Sequence, residues 1–354
     1  MLMQRVRREA GVTIIQALKA FAGWQLFPTL RYYLDGATAS SLNEARLINE
    51  EMGRAAHTYA VAYAPETFDE LAIRSSHLTF NSLGQFNRFK TKLDQYPNLK
   101  IGLRINPEYS TVETALYDPA ARGSRLGEPV ENIGAELPAG ISGLHFHTLC
   151  ESSAQDLVDT LRVIEEKFGH LLPQIEWLNC GGGHLMTRAD YDVALLIQTL
   201  KDFKAKWGVE IILEPGSAAL WQTGTLVTTV LDIHEAADIR TAILDVSFTA
   251  HMPDTLEMPY RPEVVGASRC GPGAHAYRLG GVSCLAGDYL EAYYFEKPLQ
   301  VGDHIILKDM LHYTLVKTTM FNGVAHPAIV YLRDNGQYEV LREFGYEDYK
   351  NRMG

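Results

Sequence analysis

Short apolar runs alternate with longer segments of helical period as far as residue 215, and this alternation constrains the fold more than any other feature. Strands that alternate with helices form parallel βαβ units, and eight such units are typical of a closed (β/α)8 barrel. An open doubly wound sheet is the alternative, because a count of strands does not prove closure. The candidate strands span residues 12–20, 34–39, 56–63, 77–82, 100–107, 140–148, 176–182 and 209–215. The helical segments span residues 41–53, 65–76, 82–95, 152–169 and 188–208.

The pattern changes after about residue 222. The later runs are rich in β-branched and aromatic residues, and Gly, Pro and Asp-Asn-Gly turns separate them, which is typical of antiparallel strands. These runs span residues 224–235, 241–248, 275–284, 294–309 and 327–341. The sequence therefore predicts a barrel domain over residues 1–222 and a C-terminal, mostly antiparallel β domain over residues 223–354.

Charge and cysteine content limit the partners and the compartment. The 354 residues carry 32 Lys+Arg against 43 Asp+Glu, a net charge of −11, so we do not expect a nucleic-acid partner. The four cysteines include no C-x-x-C pair and are too few for a disulfide framework. No apolar run reaches the roughly 18–20 residues that span a bilayer. Three arginines precede the first apolar run, as in a secretory signal peptide, but Gln16 and Lys19 interrupt that run. We therefore predict a helix over residues 3–10 and a cytoplasmic protein.

Lys19 is the one lysine among the polar residues that end the candidate barrel strands, where the active sites of such barrels lie. Its neighbours are apolar, and desolvation lowers the pKa of a lysine and makes its neutral amine a nucleophile for carbonyl groups. A strand-end lysine that reaches solvent past its apolar stem is the structural alternative. Arg104, His145 and His147 also end strands.

Two glycine-containing loops follow the seventh and eighth strands, where barrels frequently bind phosphate. They are Cys180-Gly181-Gly182-Gly183 and Glu214-Pro215-Gly216-Ser217. A reactive lysine together with a phosphate cradle suggests pyridoxal phosphate (PLP), which also needs a group facing its pyridine nitrogen. Glu214 could be that group and His147 could stack on the ring. A structural salt bridge and a packed core histidine are the respective alternatives.

Taken together, these residues resemble the fold-type III PLP-dependent decarboxylases, the relatives of ornithine and diaminopimelate decarboxylase. The resemblance runs from about residue 12 to about residue 332, and implies an alanine racemase-like barrel with a C-terminal β domain. Its markers are Ala17-Leu18-Lys19-Ala20, His145-Phe146-His147, Gly181-Gly182-Gly183, Glu214-Pro215-Gly216, Cys284 and the stretch from Tyr313 to Gly323. The segments ALKAFAGWQLFP, GLHFHTLCE and HMPDTLEMPYRP resemble the branch that acts on carboxynorspermidine and carboxyspermidine in polyamine synthesis.

The resemblance implies a role for each matching residue. Lys19 would hold the cofactor covalently, Glu214 would pair with the pyridine nitrogen, and His147 would stack on the ring. Cys284 would reach the site from the partner subunit of a homodimer and handle the proton at the substrate's Cα. The phosphate would be held by Gly182, Gly183, Gly216 and Tyr313.

The chain departs from the general family pattern at several positions. Ser217 stands where the family places an arginine, and Leu285 stands where the ornithine and diaminopimelate enzymes carry an acidic residue after the cysteine. Both departures fit the polyamine branch, whose long cationic substrate needs carboxylates elsewhere. Asp254, Glu257 and Asp288 are the candidates. The family usually has a further strand and helix before the lysine strand, whereas only about eleven residues precede it here.

Several alternatives remain open at this level. A diaminopimelate, ornithine or arginine decarboxylase, or a racemase, of the same fold is the nearest one. A non-catalytic PLP-binding barrel would lack the β domain after residue 222. A sugar-phosphate barrel enzyme using Lys19 without a cofactor would lack the visible absorbance of a lysine-bound PLP.

Overall fold

Eight parallel strands close into a barrel in the computed structural model, which describes residues 1–112, 114–271 and 275–354. Each strand pairs in parallel with the next, and β8 pairs with β1. This confirms the predicted (β/α)8 barrel and excludes the open sheet. The strands are β1 (Thr13–Ala17), β2 (Gly36–Ala39), β3 (Ala56–Tyr59), β4 (Ser75–Phe80), β5 (Lys100–Arg104), β6 (Gly143–His145), β7 (Trp177–Asn179) and β8 (Glu210–Leu213).

Serine side chains begin three of the helices that surround the barrel. The hydroxyls of Ser41, Ser82 and Ser153 each accept a hydrogen bond from a backbone N–H in the first turn of the following helix. Such caps satisfy backbone donors that a helix leaves unpaired, so the sequence fixes where these helices start. The helices are α1 (Leu2–Ala10), α2 (Phe27–Tyr33), α3 (Leu42–Leu47), α4 (Phe68–Ile73), α5 (Leu83–Leu93), α6 (Ala154–Phe168) and α7 (Val193–Trp207). A π-helical turn, Ile48–Met52, continues α3.

Two differences between the prediction and the structure concern the barrel. The helix α2 was not predicted, because its seven residues FPTLRYY include a proline and two β-favouring tyrosines. Most strands are also shorter than predicted at their carboxyl ends. The first one ends at Ala17, so Lys19 lies in the turn that follows the strand and not in the strand itself.

One tryptophan fills the inside of the barrel. Trp177 is 1% exposed and packs with Ile15 and Ile212. Gly102 and Gly143, on the two preceding strands, make room for the indole: a Cβ atom would lie 2.4 Å from Trp177 at Gly102 and 1.9 Å at Gly143. Because the floor of the barrel is filled by this side chain, the open carboxyl end of the barrel is left for the polar residues.

A second sheet forms the C-terminal unit, as predicted. Its six strands lie in the order β11-β13-β12-β10-β9-β14, and all neighbours are antiparallel except β10 and β12. A hairpin of β15 and β16 follows it. The strands are β9 (Thr225–Ala236), β10 (Ile239–Leu244), β11 (Ala267–Ser268), β12 (His275–Gly280), β13 (Tyr289–Phe295), β14 (His304–Lys308), β15 (Ile329–Leu332) and β16 (Tyr338–Arg342). The helices are α8 (Phe248–His251), α9 (Asp254–Glu257), α10 (Thr314–Lys317) and α11 (Tyr346–Met353).

The chain divides into two compact units, Met1–Ala219 and Leu220–Gly354. The composition of the sequence predicts the domain boundary after residue 222, three residues later. The core of the second unit contains Val230, Leu279 and Tyr293. In the described part of the chain, no helix has the length and apolar character needed to cross a membrane.

Candidate active site

Lys19 lies in a tight turn directly after β1. The backbone N–H groups of Ala20 and Phe21 both donate to the carbonyl oxygen of Ala17, and this closes the turn around the lysine. The Lys19 amine, Nζ, is 3.4 Å from Nε2 of His147, which follows β6. The barrel therefore brings together two residues that are 128 positions apart in the sequence.

The surroundings of Lys19 favour its neutral amine. The side chain is accessible to solvent, yet its amine lies 3.4 Å from His147 and close to the charged groups of Arg104 and Glu214. This partial burial lowers the pKa of Lys19, and the positive charge of Arg104 lowers it further, while the carboxylate of Glu214 acts in the opposite direction. A lysine with a lowered pKa is a better nucleophile at neutral pH.

His147 is held as a neutral ring of one tautomer. Burial and the charges of Lys19 and Arg104 keep the pKa of His147 well below its usual value. Its Nδ1 atom accepts a hydrogen bond of 3.1 Å from the backbone N–H of Gly182, so the ring proton is assigned to Nε2. Nε2 then faces the amine of Lys19 as a donor.

Glu214 follows β8 and is held by two strands. Its Oε1 accepts a hydrogen bond of 2.7 Å from Nδ2 of Asn179, and its backbone N–H donates to the carbonyl of Gly181 at 2.8 Å. Burial raises the pKa of Glu214, whereas the bonds from Asn179 and Thr38 and the charge of Lys19 lower it. The carboxylate is thus placed where a cationic partner would restore its charge.

Two glycines after β7 pack so closely against neighbouring backbone that no side chain would fit there. A Cβ atom at Gly182 would lie 2.5 Å from the carbonyl oxygen of Glu214, and one at Gly183 would lie 2.2 Å from the carbonyl oxygen of Leu149. Gly183 also has a φ of +88°. Gly216, after β8, is buried, and its carbonyl accepts a hydrogen bond from Gln16. Both loops thus come close to the end of the barrel where Lys19 lies.

The structure adds residues that sequence reasoning did not assign. Arg104 is 4% exposed, its guanidinium lies 4.7 Å above the ring of Tyr59, and its charge acts on both Lys19 and Glu214. Asn179 joins Glu214 to Gly181, since its Oδ1 accepts from the Gly181 N–H at 2.8 Å. The signal for Arg104 was present in the sequence: a charged residue in an apolar strand, the same signal that identified Lys19.

Cys284 lies on an exposed loop of the C-terminal unit. Its backbone N–H donates to Oδ1 of Asn322 at 2.8 Å, which connects it to the Phe321-Asn322-Gly323 turn. Leu285, the next residue, is 45% exposed. Asp288 is buried, and its two carboxylate oxygens accept from the Thr249 N–H, the Ser283 N–H and the Ser283 hydroxyl. Asp288 therefore joins Ser283, the residue before Cys284, to the backbone of Thr249.

Asp254 and Glu257 lie on α9 and form ion pairs with the same lysine. Nζ of Lys317, on α10, contacts Oδ1 of Asp254 and lies 2.7 Å from Oε2 of Glu257. Tyr313 directly precedes α10 and has a φ of +56°, a conformation that costs a non-glycine residue on the order of 1 kcal/mol or more. The two acidic residues and Tyr313 are therefore linked through one helix within the C-terminal unit.

The barrel residues fit the needs of PLP. Lys19 offers an amine that favours the neutral form, Glu214 offers a half-buried carboxylate, and the glycine loops offer backbone groups unhindered by Cβ atoms. His147 offers a neutral aromatic face next to the lysine. Lys19, Glu214 and His147 thus have the chemistry that PLP needs for its attachment, for its ring nitrogen and for its ring face.

Comparisons with known proteins agree with this fit. A family model described as the pyridoxal-dependent decarboxylase, C-terminal sheet domain, matches residues 32–310. The carboxyaminopropylagmatine decarboxylase of Synechocystis is 53% identical over 100% of this chain and 91% of its own length. The carboxynorspermidine/carboxyspermidine decarboxylase of Campylobacter jejuni is 43% identical over 99% of this chain and 94% of its own length.

A solved structure leads to the same family. The carboxynorspermidine decarboxylase of Campylobacter jejuni, crystallised with norspermidine, superposes with a TM-score of 0.89 at 41% identity, covering 99% of this chain and 95% of that one. The resemblance noted from the sequence motifs is confirmed, as are the decarboxylase chemistry and the cofactor. The chain belongs to the pyridoxal-dependent decarboxylases, and its cofactor is PLP.

Proposed function

We propose that the enzyme decarboxylates carboxynorspermidine or carboxyspermidine to the corresponding triamine in polyamine synthesis. Similarity along the whole chain to the Campylobacter jejuni decarboxylase of these two substrates carries this proposal. Both substrates combine an α-amino acid at one end with a long chain of amines. The α-amino acid end is the part that PLP-dependent decarboxylation requires.

Carboxyaminopropylagmatine is the second candidate substrate. The Synechocystis decarboxylase of this compound is more similar to the chain than the Campylobacter jejuni enzyme, at 53% against 43% identity. The candidate substrates share the carboxylated aminopropyl end and differ at the far end, which is an ammonium in one class and a guanidinium in the other. A planar guanidinium binds a carboxylate in a bidentate geometry that an ammonium cannot match. A given enzyme is therefore expected to prefer either the substrates with a terminal ammonium or the substrate with a guanidinium.

Lys19 and His147 would act at the aldehyde group of the cofactor. The neutral amine of Lys19 would attach PLP covalently, and the α-amine of the substrate would then take the place of the lysine amine on the cofactor. His147 would hold its Nε2 proton toward this nitrogen while its Nδ1 stays bonded to the Gly182 N–H. Bound PLP supplies an electron-accepting ring for the bond that breaks as carbon dioxide leaves.

Glu214 would act at the opposite end of the cofactor. Asn179 orients its Oε1, so that the carboxylate can hold a proton on a ring nitrogen placed beside it. Arg104, fixed over Tyr59, adds positive charge near Lys19 and so keeps the lysine amine available. The phosphate would be bound by Gly182, Gly183 and Gly216, with Tyr313 as a further ligand.

We further propose a homodimer in which Cys284 of one subunit completes the site of the other and returns a proton to the substrate's Cα. The exposure of the Cys284 loop in the single chain supports this arrangement. Mixing the inactive variants Lys19→Ala and Cys284→Ala tests it, because each mixed dimer would contain one intact site. Recovery of up to about a quarter of wild-type activity is expected from random mixing of two-fold dimers. No recovery, with mixed dimers present, would show that each subunit uses its own cysteine.

Asp254 and Glu257 would hold the substrate's amines by exchanging their ion pairs with Lys317 for pairs with the substrate, while Leu285 would pack along its methylene groups. This proposal predicts a strong preference for the carboxylated polyamines over ornithine, arginine and diaminopimelate. Each lost charge-assisted contact costs about 1.5–3 kcal/mol, or roughly ten- to a hundredfold in kcat/KM.

Decarboxylation assays with carboxynorspermidine, carboxyspermidine, carboxyaminopropylagmatine, ornithine, arginine and diaminopimelate test the substrate assignment. Highest kcat/KM with one of the first two supports the first proposal, and highest kcat/KM with the third supports the second. Comparable efficiency with ornithine or diaminopimelate would refute both.

We place the enzyme in the cytoplasm. None of the four cysteines forms a disulfide in the part of the chain that the structure describes, which suits a reducing compartment, and the acidic balance gives no reason to expect a nucleic-acid partner. Cell fractionation with immunodetection checks this: recovery in the membrane or periplasmic fraction would contradict it.

A further inference from the structure

Gln16 is a fully buried polar residue in the strand that leads to Lys19. Ile15 packs against Trp177 inside the barrel, so the alternation of side chains along β1 places Gln16 on the opposite face of the strand. Its Nε2 atom donates to two carbonyl oxygens, those of Ala17 and Gly216, each at 3.1 Å. Its Oε1 atom is buried and accepts no hydrogen bond from any residue that the structure describes.

Under the proposed function, on which this inference rests, the two carbonyls belong to the two loops that hold the cofactor. The Ala17 carbonyl also accepts from Ala20 and Phe21, and so closes the Lys19 turn. Gly216 lies two residues after Glu214, on the second glycine loop. One amide group therefore joins the lysine turn to the loop after β8, across 200 positions of sequence.

The orientation of the amide is fixed by these contacts. Two carbonyl oxygens face Nε2, so a flipped amide would place its own oxygen against them. The fold consequently keeps Oε1 without a partner, although a buried unpaired acceptor is destabilising. Because the unpaired Oε1 lowers the stability of the fold, the presence of Gln16 is better explained by the carbonyl groups that its amino group positions than by a contribution to folding.

We propose that Gln16 is a positioning residue that holds the Gly216 loop in place for the phosphate of PLP. It does not touch the reacting atoms. Its loss would free the Gly216 carbonyl, whereas the Ala17 carbonyl keeps its two backbone donors and the Lys19 turn stays closed. The effect should therefore fall on the phosphate end of the cofactor and spare the lysine end.

The variant Gln16→Met tests this proposal, because methionine is similar in shape and cannot donate. The dissociation constants of PLP and of pyridoxal, which lacks the phosphate, are measured by titrating the apoenzyme and following the absorbance of the lysine-bound cofactor. We expect the PLP constant to rise about tenfold, the equivalent of one lost hydrogen bond, while the pyridoxal constant changes by less than about twofold. The melting temperature of the apoenzyme should change little, because the variant removes one unpaired acceptor, Oε1, and leaves another, the Gly216 carbonyl.

Gln85→Met is the matched control. Gln85 is also buried, and its amide is bonded on both sides: Oε1 accepts from the Asn81 N–H and Nε2 donates to the Val61 carbonyl. This control should lower the melting temperature and leave the ratio of the two dissociation constants unchanged. The proposal is overturned if Gln16→Met weakens PLP and pyridoxal equally, if it changes neither, or if Gln85→Met changes the ratio as much.

A second variant keeps the test decisive if Gln16→Met fails to fold. Gln16→Leu removes the amide donor and fills the buried space with a shorter apolar side chain. PLP, which carries the phosphate charge, should again lose more affinity than pyridoxal. Equal losses for the two ligands would overturn the proposal.

Discussion

Replacing Gly182 with alanine tests whether the close approach of the two glycine loops matters for turnover. The backbone of Gly182 does not have a positive φ, so alanine can adopt its conformation without strain. The only change is one methyl group, 2.5 Å from the carbonyl oxygen of Glu214. That oxygen belongs to the backbone and cannot rotate away.

The size of the required movement follows from the geometry. Ordinary contact begins at 3.4 Å, so the loops must separate by about 0.9 Å. The hydrogen bond between the Glu214 N–H and the Gly181 carbonyl, 2.8 Å long, couples the two loops, so part of this shift reaches the Glu214 carboxylate. A displacement of about 1 Å in a catalytic group costs on the order of a hundredfold in rate. Overpacking of this kind costs about 1–3 kcal/mol of stability.

Steady-state decarboxylation of the best substrate, with PLP in excess, measures this effect. We expect Gly182→Ala to lower kcat/KM by about a hundredfold. Gly134→Ala is the control, because a Cβ atom there would meet nothing within 4 Å. If Gly182→Ala retains kcat/KM within about threefold of the wild type, the loops move freely and the reasoning from close approach fails.

Three further changes have defined outcomes. Lys19→Ala should abolish turnover and the visible absorbance of lysine-bound PLP while the circular dichroism spectrum stays native; a borohydride-reducible adduct in this variant would contradict the assignment of Lys19. Glu214→Gln should retain PLP but lose most of kcat, because an amide cannot hold a proton on the ring nitrogen; near-normal turnover would make Glu214 structural. The stacked rings of His57 and His77 lie 4.0 Å apart, and burial lowers the pKa of His77 to about 4 and that of His57 well below its usual value. The unfolded chain therefore binds more protons below pH 6.5, and the free energy of unfolding should fall as the pH drops from 6.5 to about 4, by up to about 1.4 kcal/mol per pH unit per histidine; His77→Phe should reduce this slope in urea unfolding.

The fold was predictable wherever local chemistry decides the structure. Ser41, Ser82 and Ser153 begin helices by capping, and strand-like runs precede each of them. Helix α2 was missed because the propensities of its residues do not favour a helix, and packing decides in its place: Phe27 and Leu30 are buried. Strand ends were overextended because apolar character continues into the loops that line the open end of the barrel.

Sequence reasoning selects candidate site residues where their chemistry is unusual in its sequence context. Lys19 and Glu214 are charged groups at the ends of apolar strands, and the three consecutive glycines mark a close backbone approach. Gln16 interrupts an apolar run, but neither its role nor that of Asn179 follows from the sequence, because both roles depend on which strands become neighbours when the barrel closes. The role of Asp288 in the cysteine loop likewise depends on contacts with Thr249, which lies 39 residues away.

Because the Trp177 indole fills the floor of the barrel, substitutions at Gly102, Gly143 and Trp177 are expected to be coupled in evolution. Gly102 and Gly143 can gain a side chain only if Trp177 shrinks in the same lineage, so substitutions at these sites should appear together or not at all. Shrinking Trp177 alone would remove its packing against Ile15 and Ile212 and leave a void shaped like the lost ring. Free indole added to a Trp177→Gly variant would then bind only the folded chain, and the folding of the barrel would become dependent on the concentration of a small aromatic molecule.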